Sequence, residues 1–148
     1  MCAFLFYTVF VSKYGVNEFD LLLGNEDEMK IVVLEGSPNK NGSSNLLAAE
    51  FIRGAKEGGH SVQVIDAAHG DIRPTGCIHC EYEGPCVQKD DVNRIRQAIL
   101  EADMLVFVTP LYYYGMSAHL KTLIDRFCAF NSSIQRKRMI FTLGTMVI

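Results

Sequence analysis

From Met29 onward, continuous apolar runs alternate with stretches where apolar residues recur every three or four positions. Residues 31–35 and 104–109 are apolar at almost every position, which predicts strands buried on both faces of a parallel sheet. Residues 61–66 supply another strand. Between the runs, Leu47, Phe51 and Ala55, with Ile52 beside them, line one face of a helix from Ser43 to about Glu57, ended by Gly58 and Gly59. Val92, Ile95, Ile99 and Ala102 do the same for a helix capped by Asp90 or Asp91. Leu120, Ile124 and Phe127 mark a third helix, from Ser117 to about Phe130, and residues 138–148 form a fourth strand. The order β-α-β-α-β-α-β predicts an α/β fold with a parallel sheet and right-handed crossovers. Ligands of such sheets bind beyond the carboxyl ends of the strands, where the strand order switches. The loops after the first and third of these strands are therefore the places to look for chemistry.

Residues 1–28 have a different character. An apolar run over 1–11 gives way to the acidic Glu26, Asp27 and Glu28. The run is too short to span a bilayer and no positive region precedes it, so it makes a poor signal peptide. We read residues 1–28 as an N-terminal extension and residues 29–148 as one domain, with Met29 a natural start.

The totals narrow the field. A chain of 148 residues can bury a real core. A net charge of −3 offers no footprint for nucleic acid, and Arg136, Lys137 and Arg138 are a solvated approach to a strand. Five cysteines, an odd number, favour reduced thiols in a reducing, cytoplasmic setting.

The loop after the first strand holds Gly36, Ser37, Pro38, Asn39, Lys40, Asn41, Gly42, Ser43, Ser44 and Asn45. It opens directly into a helix, whose first turn favours an anion. A nucleoside-triphosphate loop needs lysine after its last glycine, and Ser43 stands there. The dinucleotide fingerprint G-x-G-x-x-G is also missing. A cradle for one phosphate remains, against the simpler reading of a turn with Ser43 as helix cap. This segment resembles the phosphate loop of the NAD(P)H-dependent FMN reductases and flavodoxin-like quinone reductases. The resemblance implies that Ser37, Ser43, Ser44 and Asn45, with Asn39 as a lesser candidate, hold the phosphate of FMN.

After the third strand come Pro110, Leu111, Tyr112, Tyr113, Tyr114 and Gly115. Three consecutive tyrosines cannot all be core, and their flat rings suit the edge of a heteroaromatic ligand. The segment is similar to the same families' P-x-Y-x6-L-K-x2-I/L-D pattern, matched by Pro110, Tyr112, Leu120, Lys121, Ile124 and Asp125. The resemblance implies that Pro110, Leu111, Tyr112, Tyr113 and Tyr114 flank the isoalloxazine ring. Lys121, Asp125 and Arg126 are expected in surface or interface ion pairs, and His119 is expected to be exposed or at an interface.

Cys77, Cys80 and Cys86 form C-x2-C-x5-C around His79. Reduced packing thiols, redox-active thiols and a metal site all remain open; a structural metal site normally takes four ligands. The related iron–sulfur flavoproteins carry four cysteines in this region, and three are present here.

The resemblance, over residues 29–147, implies a flavodoxin-like three-layer α/β/α fold with strand order 2-1-3-4. It also implies FMN as cofactor, NAD(P)H as co-substrate and a small acceptor such as a quinone, a nitro or azo compound, a flavin or a ferric complex. No catalytic acid or base is named, because the flavin carries the chemistry. Family members are commonly dimers, so a homodimer is expected, with neither a nucleic-acid nor a membrane partner. The family pattern continues with a fifth strand, which this sequence lacks. Residues 138–148 would then be an exposed apolar edge, and residues 4–11 have the composition to cover it. A flavodoxin-type electron carrier without a nicotinamide site and an inactive fragment are the alternatives.

Overall fold

Val33 and Leu34 are neighbours in sequence, face opposite sides of one sheet and are both fully buried. The computed structural model describes residues 7–8, 28–76, 86–134 and 139–145. Its sheet contains β1 (Tyr7–Thr8), β2 (Lys30–Glu35), β3 (Ser61–Asp66), β4 (Met104–Pro110) and β5 (Met139–Thr145), in the order β1-β5-β4-β2-β3. The pairs β2–β3, β2–β4 and β4–β5 are parallel. The four strands from residue 30 onward thus stand second, first, third, fourth, the flavodoxin-like order the sequence implies. β1 lies antiparallel on the outer edge of β5, with Tyr7 opposite Leu143 and Thr8 opposite Thr142.

Helices cover both faces. On one, α1 (Ser43–Glu57) lays Leu47, Ala48, Phe51, Ile52 and Ala55 over Ile31, Val33, Met104, Val106 and Val108. On the other, α2 (Asp91–Glu101) and α3 (Ala118–Asp125) bring Val92, Ile95, Ile99, Leu120 and Leu123 against Val32, Leu34 and Leu105. Each such fully buried aliphatic side chain contributes roughly 1.5–3 kcal/mol. The apolar runs of β2 and β4 are explained by this double cover.

The third helix departs from the expected single span. It is α-helical only to Asp125, tightens into a 3-10 helix over Arg126–Phe130, and resumes as α4 (Asn131–Ile134). A 3-10 turn eclipses side chains three apart. Phe127 and Phe130 are so spaced, with ring centroids 5.3 Å apart, and Phe127 also meets Phe107 at 6.3 Å. No described helix is long and apolar enough to cross a membrane.

Candidate functional site: two loops joined at the strand ends

β2 and β4 are adjacent and parallel, so the loops that follow them leave the sheet side by side. Gly36 starts the first loop, and its N–H donates to the Val108 carbonyl at 2.8 Å. From the second loop, the buried Ser117 hydroxyl donates to the Gly36 carbonyl at 2.7 Å. Ser117 also accepts from Leu120 N–H at 3.2 Å as the N-cap of α3, and its own N–H donates to Thr109 Oγ1 at 2.8 Å. One hydroxyl therefore caps a helix and joins two loops. A side chain at Gly36 is excluded, because a Cβ there would stand 2.5 Å from Leu120 Cβ and 2.8 Å from Ser117 Oγ.

Within the first loop, the Asn39 carbonyl is the organising acceptor. It receives Gly42 N–H at 3.0 Å, Asn45 Nδ2 at 3.2 Å and the Ser37 hydroxyl at 3.3 Å. The Asn39 side chain closes a local turn by accepting from Asn41 N–H at 3.2 Å. Ser37, Ser44 and Asn45 are buried, while Asn39 and Ser43 are exposed. The N-cap of α1 is Gly42, which brings no side-chain cap, so the simpler reading of Ser43 as the helix cap is not realised. Asn45 is only 8% exposed, yet its Oδ1 has no hydrogen-bond partner among the described residues. Because Nδ2 donates to the Asn39 carbonyl, the open end is the acceptor Oδ1, which suits a donor hydroxyl. A helix start whose N-cap brings no side chain suits an anion, and the open Asn45 Oδ1 beside it suits a donor hydroxyl of the same ligand.

The second loop closes as a two-residue turn. Tyr112 N–H donates to the Gly115 carbonyl at 2.8 Å and Gly115 N–H returns to Tyr112 at 3.0 Å. Tyr113 and Tyr114 fill the turn with φ of 44° and 64°, a left-handed geometry that usually selects Asn-Gly. They are 98% and 91% exposed, and their rings meet edge to face at 5.9 Å. Tyr112 is exposed too, whereas Pro110 and Leu111 are half-buried. The tyrosines are thus presented outward, as their sequence position requires.

The largest departure from expectation is Arg126. It is expected in a surface or interface ion pair, and it is buried instead. Its side chain is 2% exposed and pairs with the fully buried Asp90 carboxylate. Nη1 also reaches the Arg73 carbonyl at 2.9 Å and Gln88 Oε1 at 3.2 Å, while Nη2 donates to Cys86 Sγ at 3.0 Å. Asp90 in turn accepts from Arg73 N–H at 3.1 Å and caps α2 through Val92 N–H at 3.1 Å. Burial pushes the Asp90 carboxyl up, but the hydrogen bonds from Arg126 and Arg73 outweigh it and hold it below the usual carboxylate range. A buried charge needs a buried partner, and Arg126, the first residue of the 3-10 helix, has Asp90 as its partner. Arg126 thus ties both described ends of the cysteine connection to the helix that starts at Ser117.

Cys77 and Cys80 lie outside the described residues. Cys86 is half-buried against Arg126, and the described residues contain no group of three or more His, Cys, Asp or Glu able to hold a metal. His119 is exposed and Lys121 pairs with Asp125 on the surface, as expected.

A family model described as NADPH-dependent FMN reductase matches residues 29–146. An iron–sulfur flavoprotein of Methanocaldococcus jannaschii is 37% identical over 99 residues, covering 66% of this chain and 51% of that protein. An iron–sulfur flavoprotein of Archaeoglobus fulgidus is 32% identical over 99 residues, covering 66% and 45%. The chain spans about half the length of the curated relatives it matches. An NAD(P)H:quinone oxidoreductase from Methanothermobacter marburgensis shares the fold, with a TM-score of 0.67 at 24% identity over 80% of this chain and 64% of that one. Both joined loops fall inside the matched residues, and the chain belongs to the NADPH-dependent FMN reductase family.

Proposed function

We propose that this chain binds FMN across the two joined loops and takes part in electron transfer from NAD(P)H to a small acceptor. The observation that carries this reading is the Thr109–Ser117–Gly36 junction. It holds a donor-rich helix start and an exposed aromatic turn side by side at the ends of adjacent strands. Family membership supports the choice of FMN as the ligand.

In this reading Ser37, Asn39, Ser43, Ser44 and Asn45 surround the phosphate, and the α1 dipole favours its charge. The open Asn45 Oδ1 accepts from a hydroxyl of the ligand next to the phosphate. Pro110, Leu111, Tyr112, Tyr113 and Tyr114 flank the ring, with the rigid turn holding the aromatic side chains outward. When bound, FMN supplies hydride acceptance and electron delivery; the protein supplies binding and orientation. The acceptor belongs to the quinone, nitro, azo, flavin or ferric class. Cys77, Cys80 and Cys86 serve as reduced thiols, and the protein works as a cytoplasmic homodimer.

The test is reconstitution with FMN, removal of excess on a desalting column, and an absorbance spectrum, followed by NADH and NADPH oxidation with a quinone. Equimolar flavin and acceptor-dependent oxidation are expected. Flavin retained without nicotinamide oxidation would reduce the reading to an electron carrier, and a colourless protein would overturn it.

A further inference from the structure

Lys40 is the only lysine or arginine between residues 36 and 45, yet its ammonium group is engaged by the carboxylates of two strand ends. Nζ bonds Asp66, the last residue of β3, and lies 3.8 Å from Oε2 of Glu35, the last residue of β2. Asp66 is fixed in turn. Its Oδ1 accepts from the N–H groups of Ala68 and His69, each at 3.1 Å, and its Oδ2 lies 2.9 Å from His69 Nδ1. Burial pushes the Asp66 carboxyl up, but the hydrogen bonds from Lys40 and His69 outweigh it and hold it below the usual range.

This arrangement sets two carboxylates beside a loop built for an anion. A phosphate arriving there meets like charge from Glu35 and Asp66, and Lys40, which both carboxylates hold, is the loop's own cation to offset it. The lysine stem is flexible and its ammonium carries three donors, so one residue can serve a carboxylate and a phosphate in turn or together. Lys40 is 52% exposed, and exposed ion pairs are weak enough to exchange partners. The helix start does not stand alone as evidence for a ligand, because the nine-tenths-buried Asn45 beside it leaves its acceptor Oδ1 open for a donor hydroxyl of the ligand.

We propose that Lys40 is a charge latch of the phosphate site, held by Asp66 and Glu35 in the empty loop and shared with the phosphate in the filled one, so that Lys40 and Asp66 together set the preference for FMN over riboflavin. The proposal rests on the FMN reading above and deepens it. It makes position 66, on a different strand from the loop, a determinant of ligand choice.

The experiment measures the dissociation constants of FMN and of riboflavin by quenching of flavin fluorescence, for the full chain and four variants. Lys40→Ala is expected to weaken FMN about tenfold and to leave riboflavin within about twofold, since only FMN presents the dianion. Lys40→Arg is expected to restore the preference. Asp66→Asn frees the ammonium and is expected to tighten FMN severalfold, a gain that disappears in the Lys40→Ala/Asp66→Asn double variant. An unchanged FMN-to-riboflavin ratio in Lys40→Ala overturns the latch. Equal weakening of both flavins by Asp66→Asn also overturns it, because Asp66 then only supports the loop. A native chain that binds neither flavin overturns the FMN reading and the latch with it; one that binds both equally well leaves flavin binding intact and overturns the latch alone.

Discussion

Tyr113 and Tyr114 occupy left-handed backbone geometry without being glycine or asparagine. For an ordinary residue this costs roughly 1–2 kcal/mol, and their near-complete exposure returns little through packing. Strain that no packing explains points to a use for the rings outside the folded chain. We expect Tyr114→Gly to raise stability by about 1 kcal/mol in urea denaturation and to slow turnover with aromatic acceptors; a destabilised variant would refute the strain argument. Gly36 sits at the opposite extreme. A methyl group there meets Leu120 and Ser117 at close quarters, so Gly36→Ala should cost about 1–3 kcal/mol and weaken flavin binding by parting the two loops. The tyrosine triplet is plain in the sequence, and its exposure follows from its loop position. The need for glycine at 36 is only half legible: a turn residue is obvious there, but contact with a serine 81 positions away is not.

At the scale of elements, the buried Arg126–Asp90 pair joins α2, the 3-10 helix and the cysteine connection. Asp90→Asn keeps a residue able to cap α2 but leaves the Arg126 charge buried and unpaired. We expect a loss of about 3–5 kcal/mol, read as a lowered midpoint in denaturant. Asp90 also sets an acid limit. Its carboxyl is held below the usual range in the folded chain, so its contribution is full above the ordinary carboxylate value of about 4. It is lost as pH falls from there through the depressed folded value. Stability measured between about pH 6 and 3 should fall less steeply in Asp90→Asn than in the native chain. The two aspartates at 90 and 91 read correctly as a helix start. Arg126 does not read as their partner, because a charged side chain in a helix reads as exposed and Asp90 lies 36 positions away.

For the molecule as a whole, a ligand that binds only the folded state stabilises it by about 2.7 kcal/mol at a hundredfold excess over its dissociation constant. FMN should therefore raise the melting temperature of this chain, which a thermal scan with and without flavin will check. The sheet carries a second consequence. β1 pairs with the outer edge of β5, and an uncovered strand edge is a template for association. We propose that residues 1–28 form an extension whose strand protects that edge. Removing them should shift the chain to larger species in size-exclusion chromatography, and an unchanged elution position would refute this role.

Local patterning carries the alternation of strands and helices, the parallel sheet and the position of both loops, because burial on two faces demands long apolar runs and short-range turn chemistry marks where they stop. What contact between distant residues decides cannot be read along the chain. Ser117 becomes the link between the loops only once β2 and β4 are neighbours, and Arg126 meets Asp90 only once α2 and the helix from Ser117 pack on the same face of the sheet. Lys40 meets Asp66 only because parallel pairing brings the carboxyl ends of β2 and β3 side by side.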